Sequence, residues 1–205
     1  MLAGSQVQRF YRFHSRFYDS TRWLFLFGRR EAVSRLMLHP DSRVLEVGCG
    51  TGLNFDLILQ KLDPARGRVV GMDFSSAMLD RARQRVLGRG WSNVMLIQGD
   101  ATAVPLVGPF DAILFAYSLA MISDWQTALD EAVNILAPGG RLVVLEFGRF
   151  ERWWPVAPAI RSWLRRFNVE TPRPYGEEMC KLLEDVVVDH RLGGWYVSAE
   201  GRRRQ

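Results

Sequence analysis

The chain has 205 residues, of which 48% are hydrophobic, enough for one α/β domain with a full core. No run of about 20 apolar residues occurs, so a membrane-spanning helix is excluded. Two cysteines and three scattered histidines exclude a disulfide framework and give no metal-ligand spacing, and a net charge of +5 leaves a polyanion or an anionic surface as possible partners.

That charge is unevenly spread. Residues 1–43 carry eight arginines against three acids, whereas residues 44–148 carry eight basic residues against eleven acids. Residues 149–173 return to six arginines against two acids, and 174–205 are near balance. A mildly acidic centre is therefore flanked by two basic segments, both rich in aromatic residues. The N-terminal residues hold arginines where a secretion signal would be apolar, so a cytoplasmic location is expected.

The first element is RFYRFHSRFY, residues 9–18. On a helix, Phe10, Phe13, His14, Phe17 and Tyr18 share one face, and Arg9, Arg12 and Arg16 the other. The pattern predicts a helix in a membrane interface or one covering the sheet. VLEVGCGTG (44–52) then reads as a strand buried on both faces, followed by Gly48, Gly50 and Gly52 in a turn that brings backbone against a ligand. A helix from about 52 to 62 follows. GRVVGMD (67–73) is a second strand, and SSAMLDRARQRVLG a helix capped by Ser75 or Ser76 and closed at Gly88. NVMLIQGD (93–100) and FDAILFAYS (110–118) are the third and fourth strands. DWQTALDEAVNILAPGG is a helix closed by Pro138, Gly139 and Gly140, and RLVVLEFG (141–148) the fifth strand. Ile160, Trp163, Leu164 and Phe167 form a second apolar face flanked by Arg161, Arg165 and Arg166, with Trp153 and Trp154 just ahead. DVVVDHRL (185–192) and GGWYVSAEG (193–201) close the chain as an antiparallel pair. This alternation predicts a doubly wound sheet with its ligand outside the strands' carboxyl ends.

The ligand is narrowed by what surrounds it. A dinucleotide fingerprint needs glycine three residues after Gly50, but Leu53 stands there. Asp73, at the end of the second strand, is placed to accept from a ribose diol, or else to cap the next helix. Glu46 and Asp100 add acids around the same cleft, which suits a sulfonium-and-ammonium ligand such as S-adenosylmethionine better than a pyrophosphate. Asp111 reads as a structural partner for backbone, and Cys49 as a small apolar filler.

VLEVGCGTG, GMDFSSAML, GDA followed by FD, and LAPGGRLVVLEF resemble the successive motifs of class I S-adenosylmethionine-dependent methyltransferases. The resemblance implies a Rossmann-like α/β fold with a doubly wound seven-stranded sheet and a reversed last strand. Around that core (43–148) lie an N-terminal helical segment (1–42), a basic aromatic insertion (149–175) and a closing helix and strands (176–205). It implies cofactor contacts from Glu46, Gly48, Cys49, Gly50, Gly52, Asp73, Phe74, Asp100, Ala101, Tyr117 and Ser118, with S-adenosylhomocysteine as product.

FYDSTRWLFLFGRREAV and AYSLAMISDWQTALDEAV further resemble bacterial lipid N-methyltransferases acting on betaine-lipid precursors or phosphatidylethanolamine. That implies an amine acceptor on a membrane lipid, peripheral attachment to the inner membrane and contact with anionic lipids. Quinone-precursor C-methyltransferases and small-molecule methyltransferases are the alternative, with a non-enzymatic cofactor-binding protein behind them. No nucleic-acid module is legible. Tyr11, Tyr18 and Tyr117 are candidates for an aromatic wall around a methylated cation. His14 is a structural residue or a proton acceptor. Arg29 would hold a phosphate or carboxylate, with Tyr11 and Trp125 beside the acceptor.

Overall fold

A computed structural model describes residues 26–205. The expectations for Tyr11, His14, Tyr18 and the 9–18 helix fall outside them. The described chain opens with helix α1 (Arg29–Arg35), followed by β1 (Arg43–Val47), α2 (Phe55–Leu59), β2 (Arg68–Asp73), α3 (Ser76–Arg89), β3 (Val94–Gln98) and β4 (Phe110–Ala116). A 3-10 turn (Leu119–Met121), α4 (Trp125–Ile135) and β5 (Leu136–Phe147) come next. After a second 3-10 turn (Glu151–Trp153), the chain ends with α5 (Ala157–Arg165), α6 (Tyr175–Leu182), β6 (Glu184–Arg191) and β7 (Tyr196–Arg202).

The seven strands form one sheet in the order β3-β2-β1-β4-β5-β7-β6. All neighbours from β3 to β5 are parallel, and β7 runs antiparallel to both β5 and β6, so the last strand is reversed. The continuous apolar strands follow from burial on both faces. Val44, Val69, Leu114 and Val143 point into one core with residues of α1, α2, α3 and α5. Leu45, Val70, Phe115 and Val144 point into the other, with α4 and α6. Chain order reverses at β1, whose neighbours β2 and β4 leave on opposite sides. That is where a ligand crevice opens.

Local chemistry sets several boundaries away from the expected positions. The predicted helix 52–62 shortens to five residues, because Gly50 and Gly52 hold positive φ (57° and 75°) and the loop unwinds only at Phe55. Helix α3 ends two residues later than expected, at Gly90 in the left-handed conformation, and Gly88 lies inside it. Ser75 is its N-cap, but the hydroxyl makes no capping bond; the backbone N–H of Ser75 instead donates to Asp73. Helix α4 stops at Ile135, and the chain from Leu136 through Pro138 is already strand, pairing with Phe110.

Trp125 departs from its expected place. It starts the α4 stripe Trp125, Ala128, Leu129, Ala132, is 7% exposed, and has its ring 5.3 Å from that of Tyr175. It faces the core, not the crevice. Asp111 is structural, accepting the Arg43 N–H at 2.6 Å. In the basic insertion, Leu164 is buried and Ile160 and Phe167 pack against the core, whereas Trp154 and Trp163 remain 77% and 49% exposed. The segment therefore covers the sheet with one face and presents aromatic and arginine side chains on another.

Candidate functional site

A cavity of about 490 Å³ lies at the carboxyl ends of β1, β2 and β4. Its floor is the glycine turn. A Cβ on Gly48 would stand 2.4 Å from the Ser118 Cβ, and one on Gly52 2.5 Å from the Phe55 ring, so packing demands both glycines. Gly50 differs: a Cβ there would meet nothing within 4 Å. Its bare backbone faces open space, as close approach to a ligand requires. The N–H groups of Gly48 and Cys49 donate to Met72 O at 2.8 and 3.0 Å, which fixes the turn to β2. The Cys49 thiol is buried and its pKa is pushed well up by that burial, so it fills space.

Asp73 links the turn to the next helix. Oδ2 accepts the Gly50 N–H at 2.8 Å and Oδ1 the Ser75 N–H at 2.8 Å. An ionised carboxylate has about four lone-pair positions. Two are spent on backbone and two stay for a pair of vicinal hydroxyls. Burial raises its pKa, and the two N–H bonds pull it back. Phe74 and Ala101 border the cavity next to it, and Asp100 lies at its rim with Oδ1 accepting from the Thr102 N–H and hydroxyl.

Glu46 is a strongly perturbed acid on the wall. It is 1% exposed; Oε1 accepts from Asn54 Nδ2 at 2.6 Å, and Oε2 has no partner. Burial pushes its pKa to about 8, opposed by the Asn54 bond and by the charge of Arg29. Such an orphaned buried oxygen calls for a cationic or hydrogen-bond-donating partner. Arg29 reaches the cavity from α1, donating to Leu53 O at 3.3 Å.

The other wall is the segment after β4. Tyr117 has φ 56°, its ring lies 4.8 Å from Phe147, and its hydroxyl donates to Phe27 O at 2.8 Å. Burial raises that phenol well above its usual range, so Tyr117 offers a ring face and not a base. Ser118 Oγ donates to Val47 O at 2.7 Å. Leu26, Met121 and Ile122 make this wall apolar. Sequence patterns did not single out Asn54, Met121, Ile122 or Asp124, all of which border the cavity.

A crevice at the reversal of strand order, floored by a glycine turn and carrying an acid at the end of β2, defines a nucleoside-binding α/β domain. Residues 44–140 match the model of a methyltransferase domain. The demethylmenaquinone methyltransferase of Thermus thermophilus is 41% identical over 137 residues, covering 63% of this chain and 60% of that protein. The 2-phytyl-1,4-naphtoquinone methyltransferase of Thermosynechococcus vestitus is 31% identical, covering 72% of this chain and 64% of that one. In both cases the match spans less than two thirds of the relative's length. The demethylmenaquinone methyltransferase of Shouchella clausii is 31% identical over 70% of each chain. The fold is shared with a SAM-dependent methyltransferase from Aquifex aeolicus (TM-score 0.68, 19% identity, covering 99% of this chain and 100% of that one). It is shared too with the N-methyltransferase NodS from Bradyrhizobium japonicum, solved with S-adenosyl-L-homocysteine (TM-score 0.65, 23% identity, 87% of each chain). This chain belongs to the class I S-adenosylmethionine-dependent methyltransferases.

The residues present fit that cofactor. Gly50 leaves room for its approach, Asp73 keeps acceptor positions for ribose hydroxyls, and the free Glu46 oxygen suits the ammonium of its methionine part.

Proposed function

We propose that this chain methylates a ring carbon of an isoprenoid-quinone precursor. The observation that carries the reading is the likeness to three quinone-precursor methyltransferases, at 31–41% identity. The cavity supports it, because Leu26, Tyr117, Met121 and Ile122 form an apolar wall that a flat ring can lie against. Bound S-adenosylmethionine supplies an electrophilic methyl group on a sulfonium. The protein's part is to hold the acceptor in line with the methyl–sulfur bond, which breaks to leave S-adenosylhomocysteine as the C–C bond forms, while the ring carbon's proton passes to water as aromaticity returns. Asp73 and the glycine turn fix the nucleoside side, Glu46 the methionine side, and the 117–122 wall the acceptor.

A second reading, methylation of a lipid amine headgroup, is favoured by Asp124 and Asp100, acids on the cavity beyond those assigned to the cofactor's ammonium and ribose, where an amine or its methylated cation is well received. The two part in one experiment. Labelled S-adenosylmethionine is incubated with the protein, a total bacterial lipid extract and a demethylated naphthoquinol. Label in the quinone fraction is expected. Label in the amine lipids alone would replace the first reading by the second, and label in neither would overturn both.

Both acceptors reside in membranes, and we extend the proposal to attachment at the anionic face of the bilayer. No described helix is long and apolar enough to cross a membrane. Support comes from exposed Trp154, Val156 and Trp163 beside exposed Arg149, Arg152, Arg165 and Arg166. Each such arginine is worth about 1 kcal/mol near an anionic surface and is screened beyond roughly 8 Å at physiological salt. Sedimentation with vesicles containing phosphatidylglycerol should therefore fall with salt, and fall again in the triple variant Arg152→Gln, Arg165→Gln, Arg166→Gln. Equal binding to neutral vesicles, or no change in the variant, would remove this surface from the account.

A further inference from the structure

Beyond the cavity itself, and resting on the methyltransferase reading, we propose that Glu146 and Arg173 are positioning residues for methyl transfer. They clamp the Leu119–Met121 turn from opposite ends and so set the acceptor-side wall. Neither residue borders the cavity, but Tyr117, Ser118, Met121 and Ile122, which do, are carried by or adjoin that turn.

A three-residue 3-10 turn leaves its first N–H groups and last carbonyls without partners inside the turn. Here Ser118, Leu119 and Ala120 are buried and Met121 and Ile122 half-buried, so the open groups need partners from elsewhere, although Leu119 O already accepts the Ile122 N–H. Glu146, fully buried near the end of β5, supplies the acceptor. Its Oε1 receives the Ala120 N–H at 3.1 Å, and the neighbouring N–H groups of Leu119 and Ser118 pull its pKa down. Arg173 supplies the donors. Its Nη1 reaches Leu119 O at 2.9 Å and Ile122 O at 2.7 Å, with the side chain only 8% exposed. The Glu170 N–H closes the set on Ala120 O at 3.0 Å, and the Glu170 carboxylate holds Arg173 Nη2 at 2.6 Å.

The signs match at both ends. A carboxylate faces the N–H groups and a guanidinium faces the carbonyls, which makes each bond charge-assisted and stronger than a neutral one. Burial holds the Glu146 carboxyl up to about 7, against the pull of the turn's N–H groups and of Arg173. The two residues come from separate parts of the chain, one from the sheet and one from the stretch after α5. The basic insertion thus reaches back to hold the wall of the site. A general stabilising role would not require that both side chains converge on one turn of the cavity wall.

The test uses the whole chain with Glu146→Gln and Arg173→Met, and Arg173→Lys as the conservative variant. Hydrogen exchange is read at residues 118–122, S-adenosylhomocysteine binding by calorimetry, and turnover by label incorporation into the lipid extract and naphthoquinol at saturating cofactor. Exchange at the turn should be roughly tenfold faster in the first two variants, the scale of losing one such bond. Affinity for S-adenosylhomocysteine should stay within about threefold, because the glycine turn is anchored on Met72 O and Asp73, outside this wall, while turnover falls by roughly tenfold or more. Arg173→Lys should recover part of the turnover. Loss in the double variant should be smaller than the product of the single losses, since both act on one turn.

Unchanged exchange overturns the clamp, and wild-type turnover despite faster exchange overturns the positioning role. If Glu146→Gln or Arg173→Met does not fold, Arg173→Lys decides, because a single ammonium cannot hold the two carbonyls and the Glu170 carboxylate from two separate nitrogens as the guanidinium does; wild-type exchange and turnover there overturn the proposal. If the acceptor reading fails, the wild-type protein incorporates no label, yet the exchange measurement still decides whether the clamp exists.

Discussion

Replacing Asp73 by Ala is expected to weaken S-adenosylmethionine binding by about 1.5–3 kcal/mol, or roughly 10- to 150-fold in dissociation constant. The carboxylate has two acceptor positions beyond the bonds it makes to Gly50 and Ser75, and a ribose diol fills both. Position in the fold alone suggests a loss confined to the ligand. The hydrogen bonds argue for more, because Asp73 also fastens the glycine turn to the start of α3. The cofactor-free protein should therefore melt at a lower temperature, by an amount set by two lost charge-assisted bonds. Asp73→Asn, which keeps one acceptor oxygen, should fall between. Unchanged affinity in a calorimetric titration of the Ala variant would refute the ribose assignment.

Glu46→Gln should produce the second large effect, and one that depends on pH. The folded carboxyl has its pKa raised from 4.5 to about 8, so between those values the folded protein retains a proton that the unfolded chain has lost. Stability therefore falls as pH rises through that window and levels off above it. An ammonium placed against Oε2 favours the carboxylate, so cofactor binding releases the proton and strengthens as pH rises from about 6 towards 8. The Gln variant should bind more weakly by roughly 1.5–3 kcal/mol near pH 8, show a flatter affinity profile, and lose part of the pH dependence of its melting. A wild-type affinity that is flat across this range would place the ammonium elsewhere.

Much of the site was legible because its signals are local. Three glycines two apart, an acid closing the second strand and apolar strands bounded by turn residues lie within a few positions of each other. The fold followed from the strand–helix alternation in the same way. What escaped is carried by contacts across the chain. Asn54 meets Glu46 only because the loop runs on for two residues after Gly52, Leu53 and Asn54, before α2 begins. The Leu119–Met121 turn is held by side chains 26 and 54 residues away, and no periodicity announces that. Trp125 was readable, since it starts an i, i+3, i+4, i+7 apolar stripe, the mark of a core-facing helix. Ile160, Leu164 and Phe167 show why an amphipathic face cannot by itself separate core from membrane: three of the four residues on that face pack inward, and Trp163 stays half-exposed.

The central claim is that S-adenosylmethionine occupies the crevice between the β1 glycine turn and the end of β2. A crystal structure with S-adenosylhomocysteine tests it most directly. The account predicts both ribose hydroxyls on the Asp73 carboxylate, backbone of the ligand's amino-acid part against Gly48 and Gly50, and its ammonium within hydrogen-bond distance of Glu46. A nucleoside bound elsewhere, or bound here with Asp73 contacting only Gly50 and Ser75, would contradict it.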